Sequence, residues 1–212
     1  MKKIFKLLAA GCLLLAVVSL SSCLSESNDN SNVEREWQEW VKAFQAEVLA
    51  AHGNYAGFIY YQPNTKVSEL DSVAAEWNIV SDTILVLNRV PTSLFVEKLS
   101  EKQQEIKDAI SAVGTADIQV KIGFNVYYKS PLLFYVYPEP VKLNITIGGQ
   151  HKTAIVNFYD TEYYDQTFGQ CLVTSGQCLV RLFPKSIVVD GVGVKNFDTI
   201  DYAQLYWLGK KR

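Results

Sequence analysis

The sequence predicts an α+β protein, mostly antiparallel β, built as a sandwich or a calycin-like barrel with an N-terminal helix and one mid-chain helix. Three observations carry that expectation. From Thr115 onward the chain breaks into short runs rich in Val, Ile, Tyr and Phe. Turn residues separate these runs at near-regular spacing. No alternation of strands with long helices follows, which sets aside a doubly wound parallel sheet.

The chain opens with a leader. Met1-Lys2-Lys3 and Lys6 precede an uncharged run from Leu7 to Leu20, and no acidic residue occurs before Glu26. A basic segment ahead of a short apolar one is the layout of a secretory signal peptide. The run falls short of the roughly 20 residues that a membrane-crossing helix needs. Leu20-Ser21-Ser22-Cys23 resembles the bacterial lipobox: a branched apolar residue, two small residues, then the cysteine that is lipidated. Ala9-Ala10-Gly11-Cys12 lacks the branched residue. Cleavage before Cys12 would leave an apolar segment shorter than the roughly 7–15 residues such leaders carry. Residues 1–22 are therefore expected to be a lipoprotein signal peptide, and Cys23 the lipidated first residue of the mature chain. Each buried methylene of a lipid contributes about 0.8 kcal/mol, so two or more chains anchor stably. The expectation is an exported protein anchored to the outer membrane through Cys23, on its periplasmic or its surface face. Cys23→Ser should abolish labelling of the mature protein with radioactive palmitate.

That cleavage removes Lys2, Lys3 and Lys6 but no acid, so the formal charge falls from −2 to −5. A mildly acidic chain argues against a nucleic-acid partner, which selects a basic face. Residues 23–32, rich in Ser and Asn, read as a flexible tether. Residues 33–212 are expected to form a single β-rich domain with helices at about 33–52 and 92–113.

Within that domain, Val33, Trp37, Trp40, Val41, Phe44 and Val48 recur at intervals of one helical turn, and Gly53 supplies a stop. The two tryptophans read as the buried face of a helix laid on a sheet. Gly53–Tyr61 switches to strand composition, and Ala74–Val90 reads as two strands joined near Ser81-Asp82. Ser100 and Gln103 form a capping box ahead of a helix that Gly114 ends. Strand runs follow at Ile118–Tyr128, Leu132–Tyr137, Val141–Ile147, His151–Tyr159, Cys171–Val173, Gln177–Phe183, Ser186–Asp190 and Tyr202–Leu208. Gly148-Gly149 and Asp190-Gly191 are hairpin turns.

With Cys12 discarded and Cys23 lipidated, Cys171 and Cys178 remain, a candidate disulfide in an exported protein. Hairpin register decides it. A two-residue turn at Thr174-Ser175 sets Cys171 opposite Cys178, within disulfide range. A three-residue turn with Gly176 left-handed sets Cys171 opposite Leu179 and sends Cys178 to the other face. Turn chemistry favours the second and an oxidising compartment the first.

The search for chemistry finds His52 and His151 beside turns, and no nucleophile elbow, phosphate-binding loop or zinc motif. No cofactor, metal or catalytic residue is assigned. The most suggestive stretch is Asn157–Phe168, which interleaves Tyr159, Tyr163, Tyr164 and Phe168 with Asp160, Glu162 and Asp165. Aromatic faces stack on sugar C–H faces and carboxylates accept from hydroxyls, so these residues form a candidate ligand-binding set. Asp71-Ser72-Val73, Asp82-Thr83-Ile84 and Asp198-Thr199-Ile200 resemble the O-glycosylation sequon of exported Bacteroidota proteins.

Taken together, the lipobox at Leu20–Cys23, the Ser/Asn tether, the GNYAG entry into the first strand and the β-rich body resemble uncharacterised Bacteroidota outer-membrane lipoproteins. That resemblance implies antiparallel, often calycin-like folds and carries no catalytic residues. The expected function is a non-catalytic binding or assembly module with an envelope-protein or glycan partner. The alternatives are a carbohydrate or small-ligand binder using residues 158–168, and a glycan hydrolase.

Overall fold

The computed structural model describes residues 30–63, 69–161, 167–197 and 204–212. Cys23 and the leader lie outside the described residues. The fold is mostly antiparallel β, as expected, and the choice between sandwich and barrel resolves to a barrel. Helix α1 is Asn30–Ala51. Strands β1 (Gly53–Tyr61), β2 (Asp71–Ser81) and β3 (Ile84–Pro91) follow. The interval to the next strand holds two 3-10 turns, Thr92–Phe95 and Glu101–Gln103, and helix α2, Gln104–Ser111. The Ser100/Gln103 capping box is present at its entry.

The remaining strands are β4 (Thr115–Lys129), β5 (Leu132–Pro138), β6 (Val141–Ile147) and β7 (Gln150–Phe158). After them come β8 (Phe168–Leu172), β9 (Gln177–Leu182), β10 (Pro184–Val189), β11 (Val192–Asn196) and β12 (Leu205–Lys211). Both glycine-bearing hairpin turns take the left-handed conformations their residues permit: φ is 57° and 75° at Gly148-Gly149, and 49° and 81° at Asp190-Gly191.

Eight strands close a barrel in the order β1-β12-β9-β8-β5-β4-β3-β2. Every neighbouring pair is antiparallel. Each barrel strand therefore pairs with the next barrel strand along the chain, an up-and-down meander. Two hairpins leave it: β6–β7 between β5 and β8, and β10–β11 between β9 and β12. Strands β7 and β10 then pair, which joins the two excursions into a second sheet, β11-β10-β7-β6.

Alternation along each strand separates inside from outside. Inward positions are Tyr55 and Ile59, Trp77 and Ile79, Leu85 and Leu87, Ile118 and Val120, Phe134 and Val136, Val180 and Leu182, and Leu205 and Trp207, all at most 2% exposed. Trp77, Trp207 and Phe134 are the bulkiest of these. Tyr55 stacks on Trp77 with ring centres 5.8 Å apart. The barrel is thus packed with side chains along its axis. The second sheet buries Leu143, Ile145, Ala154, Val156 and Ile187 on one face, and its Phe158 meets Phe95 edge to face at 5.8 Å.

The strand seam between β1 and β12 is unusually close. Gly57 and Gly209 face each other in register. A Cβ on Gly57 would strike the Leu208 carbonyl, and one on Gly209 would strike the Ala56 carbonyl and the Trp77 ring.

The chain divides into two compact units after Val41, so α1 spans both. Before the division, Trp37 and Trp40 stack on each other with centroids 5.4 Å apart. Trp37 is 55% exposed, so that end of the helical stripe is not the buried face its spacing suggests. Beyond the division, Phe44, Val48 and Ala51 are buried. There Lys211 Nζ donates to the Ala50 carbonyl at 2.8 Å, a cation satisfying a helix C-terminus.

Candidate functional site on the outer barrel wall

A filled barrel leaves its outer wall as the place for contacts. Outward residues should be polar if they meet only water. Strand β6 of the second sheet obeys, turning Lys142, Asn144 and Thr146 away from its buried face. Strands β5, β9, β12 and β1 mix apolar and aromatic residues into their outward positions: Leu133 and Tyr135, Leu179, Tyr206 and Leu208, and Phe58 and Tyr60. Pairing register aligns their outward residues into rows. Tyr135 opposes Phe168, Arg181 opposes Tyr206, and Tyr206 opposes Tyr60. The Arg181 guanidinium bridges the two pairs, 4.9 Å from the Phe168 ring centre and 5.1 Å from that of Tyr206. One turn of the pleat away runs a second row, Leu133, Gln170, Leu179, Leu208 and Phe58.

Exposure across these rows is 47% at Phe58, 44% at Leu208 and 42% at Tyr135. The Asn125 side-chain amide donates to the Tyr135 hydroxyl at 2.8 Å, and Tyr206 donates to Gln204. Two rings lie within cation–π distance of Arg181, and its Nε is buried with no acceptor among the described residues. Among the described residues no carboxylate pairs with it. A guanidinium presents its N–H donors at its planar edge, in the fork geometry that carboxylates match.

Of the candidate ligand-binding set, only Tyr159, Asp160 and Phe168 are among the described residues. Glu162, Tyr163, Tyr164 and Asp165 lie outside them. Phe168 belongs to the Arg181 row. Tyr159 instead turns toward the second sheet, donating to the Phe197 carbonyl at 3.0 Å with Lys185 Nζ 5.5 Å from its ring centre. Asp160 is half-buried beside it. Thr161 is held to β5: its N–H donates to the Val136 carbonyl at 3.1 Å, and its hydroxyl accepts from the Val136 N–H at 2.8 Å. The sequence signal for Arg181 and Tyr206 was the loss of alternation in QCLVRL and LYWLGKK. Of the glycosylation-like sequons, Ser72 and Thr83 are exposed, and Thr199 lies outside the described residues.

Cys171 and Cys178 sit at the opposite parity, inside the barrel. They are directly opposed in register, each 1% exposed, with sulfurs 2.9 Å apart. The hairpin combines features that two turn lengths would have kept apart. Its pairing ends at Leu172 and Gln177, a 3-10 turn covers Val173–Ser175, and Gly176 takes φ 67°. Four loop residues thus accommodate both the left-handed glycine and the opposed cysteines. Burial pushes the Cys178 thiol well above its ordinary pKa, with Cys171 adding to the shift and the Trp77 indole opposing it. Burial also raises the Tyr55 phenol, and both cysteines add to that. Tyr55 donates to the Ala51 carbonyl at 2.6 Å.

The chain belongs to the family described as a domain of unknown function, DUF4840, which matches residues 50–189. That span runs from the end of α1 through β10, taking in seven of the eight barrel strands, and omits β11 and β12. No curated protein and no solved structure matches the chain.

Proposed function

We propose, from membership of a family whose function is unknown, that this protein is a lipid-anchored, non-catalytic module of the bacterial cell envelope that binds a partner protein on its outer barrel wall. The lipobox at Leu20–Cys23 and the basic leader support the anchor. The observation that carries the binding reading is Arg181, set against the Phe168 and Tyr206 rings in a half-exposed aromatic row. Protein interfaces are enriched in tyrosine, other aromatics and arginine, and their strongest contacts cluster on such anchors. The matching partner surface carries an acidic side chain framed by apolar ones. The acid meets the guanidinium edge, and the apolar frame covers Phe58, Tyr135 and Leu208. The filled interior supports a role on the wall over a ligand held within the barrel.

A photoreactive amino acid at Leu208 or Tyr135 should cross-link to one defined envelope protein in living cells. The same group at Val192, on β11 and 69% exposed, should not. Equal cross-linking at all three positions would remove the reading. An acidic glycan bound on an array, and lost with Arg181→Ala, would put the carbohydrate alternative in its place.

A further inference from the structure

We propose that Cys171 and Cys178 form a disulfide inside the barrel wall, made while the chain folds and afterwards sealed from solvent reductants. Four observations converge on it. The cysteines are directly opposed on adjacent antiparallel strands. Residues so opposed lie about 4.5–5.5 Å apart at Cα, within the separation a disulfide spans. Both side chains point to the same inward face, where they stand as free thiols with Cys171 Sγ donating to Cys178 Sγ at 2.9 Å. Both are 1% exposed, so neither is placed to meet a second protein or a metal in the folded state.

Their surroundings fit a bond better than a thiol pair. Trp77 and Tyr55, both at most 2% exposed, stack on each other beside them. Burial disfavours the thiolate that exchange chemistry requires, so a reduced pair in the finished barrel would be inert. The bond must therefore form before the barrel closes around the two thiols. Each thiol gives up its proton and the sulfurs join. Two electrons pass to the disulfide of an exported thiol oxidant, which departs as a dithiol. The availability of that oxidant rests on the envelope reading above; the geometry does not. The bond closes a loop within one hairpin and ties β8 to β9 at the barrel end where Ala51 of α1 receives the Tyr55 hydroxyl.

The test begins with the full-length protein isolated from the cell envelope, unfolded in guanidinium without reductant and treated with iodoacetamide. The expected result is no adduct at Cys171 or Cys178, with both alkylated once reductant is added. Both alkylated without reductant overturns the proposal. A second arm uses the full chain carrying Cys12→Ser and Cys23→Ser, made in a reducing cytosol, unfolded, and refolded in a glutathione redox buffer. It should recover the bond, and failure to oxidise there overturns the geometric argument whatever the compartment. Failure of the envelope reading registers separately, as absence of palmitate on Cys23. Sealing is read by exposing the oxidised, folded protein to dithiothreitol. Reduction should proceed only at the rate of global unfolding, and reduction as fast as in guanidinium overturns that part. A disulfide in contact with an indole quenches it, so Trp77 emission should rise on reduction, a change that Trp77→Phe removes.

Discussion

A chain ending at residue 203 is expected to lose cooperative folding. Strand β12 fills the gap between β1 and β9, pairing with β1 from Tyr206 to Lys211 and with β9 from Leu205 to Lys210. Removing it leaves two long strand edges without partners. It also removes Leu205 and Trp207, which are 1% and 0% exposed, and the Lys211 ammonium that satisfies Ala50 of α1. Trp207→Ala alone should cost about 3–5 kcal/mol. A domain has only about 5–15 kcal/mol in total, so losing the whole strand exceeds what the barrel can tolerate. Near-ultraviolet circular dichroism and guanidinium titration measure this. A native-like aromatic spectrum with a single sharp transition in the shortened chain would show that the barrel does not depend on β12. The outcome bears on the family too, because the matched span ends at Val189, before the strand that closes the wall.

The next largest effect is expected at the β1–β12 seam. Gly209→Ala drives a methyl group into the Ala56 carbonyl and the Trp77 ring. Backbone and a fully buried indole are the least able to move aside. Overpacking of this kind costs about 1–3 kcal/mol, and more where nothing yields. Gly123→Ala is the control within the same barrel. Gly123 lies in β4, and its Cβ would have nothing within 4 Å. That substitution should be neutral or raise stability by about 0.4–1 kcal/mol through a stiffer unfolded chain. Thermal unfolding of the two variants should therefore move in opposite directions or differ sharply. Equal melting temperatures would mean that β1 and β12 are not held as close as the structure has them.

Much of this fold is legible in the sequence, and the reasons are local. VKLNITI alternates cleanly and is one strand from end to end, Val141–Ile147. Asp190-Gly191 requires left-handed backbone and has it. Ser100 and Gln103 name the start of a helical segment. What is not legible is which hairpins leave the barrel. Strands β6 and β10 have the composition of barrel strands, and only the pairing of β7 with β10 draws them into a second sheet. Such pairing is fixed by long-range packing, which period and propensity do not encode.

The candidate site divides the same way. Phe168 stands out in the sequence for its acidic and aromatic neighbours, yet its ring lies against Arg181 on β9, which also lies against Tyr206 on β12. The sequence signal is in the broken alternation of those strands. Their alignment into a row depends on register across β5, β8, β9, β12 and β1, which appears only when the barrel closes. The cysteine hairpin is the mirror case. There the residues are adjacent in sequence, and a four-residue loop that includes left-handed Gly176 decides their facing.

The account stands most directly on Arg181. A photoreactive group at Leu208 should give a defined cross-link in cells, and Arg181→Ala in the same chain should cut its yield at least tenfold, the effect of losing an interface anchor worth about 2 kcal/mol. Arg181→Lys keeps the charge but not the planar guanidinium against Phe168 and Tyr206, and should restore little of it. Both variants should keep a cooperative unfolding transition, since the side chain is only half-buried on the outer wall. An undiminished cross-link in folded Arg181→Ala protein would contradict the central claim.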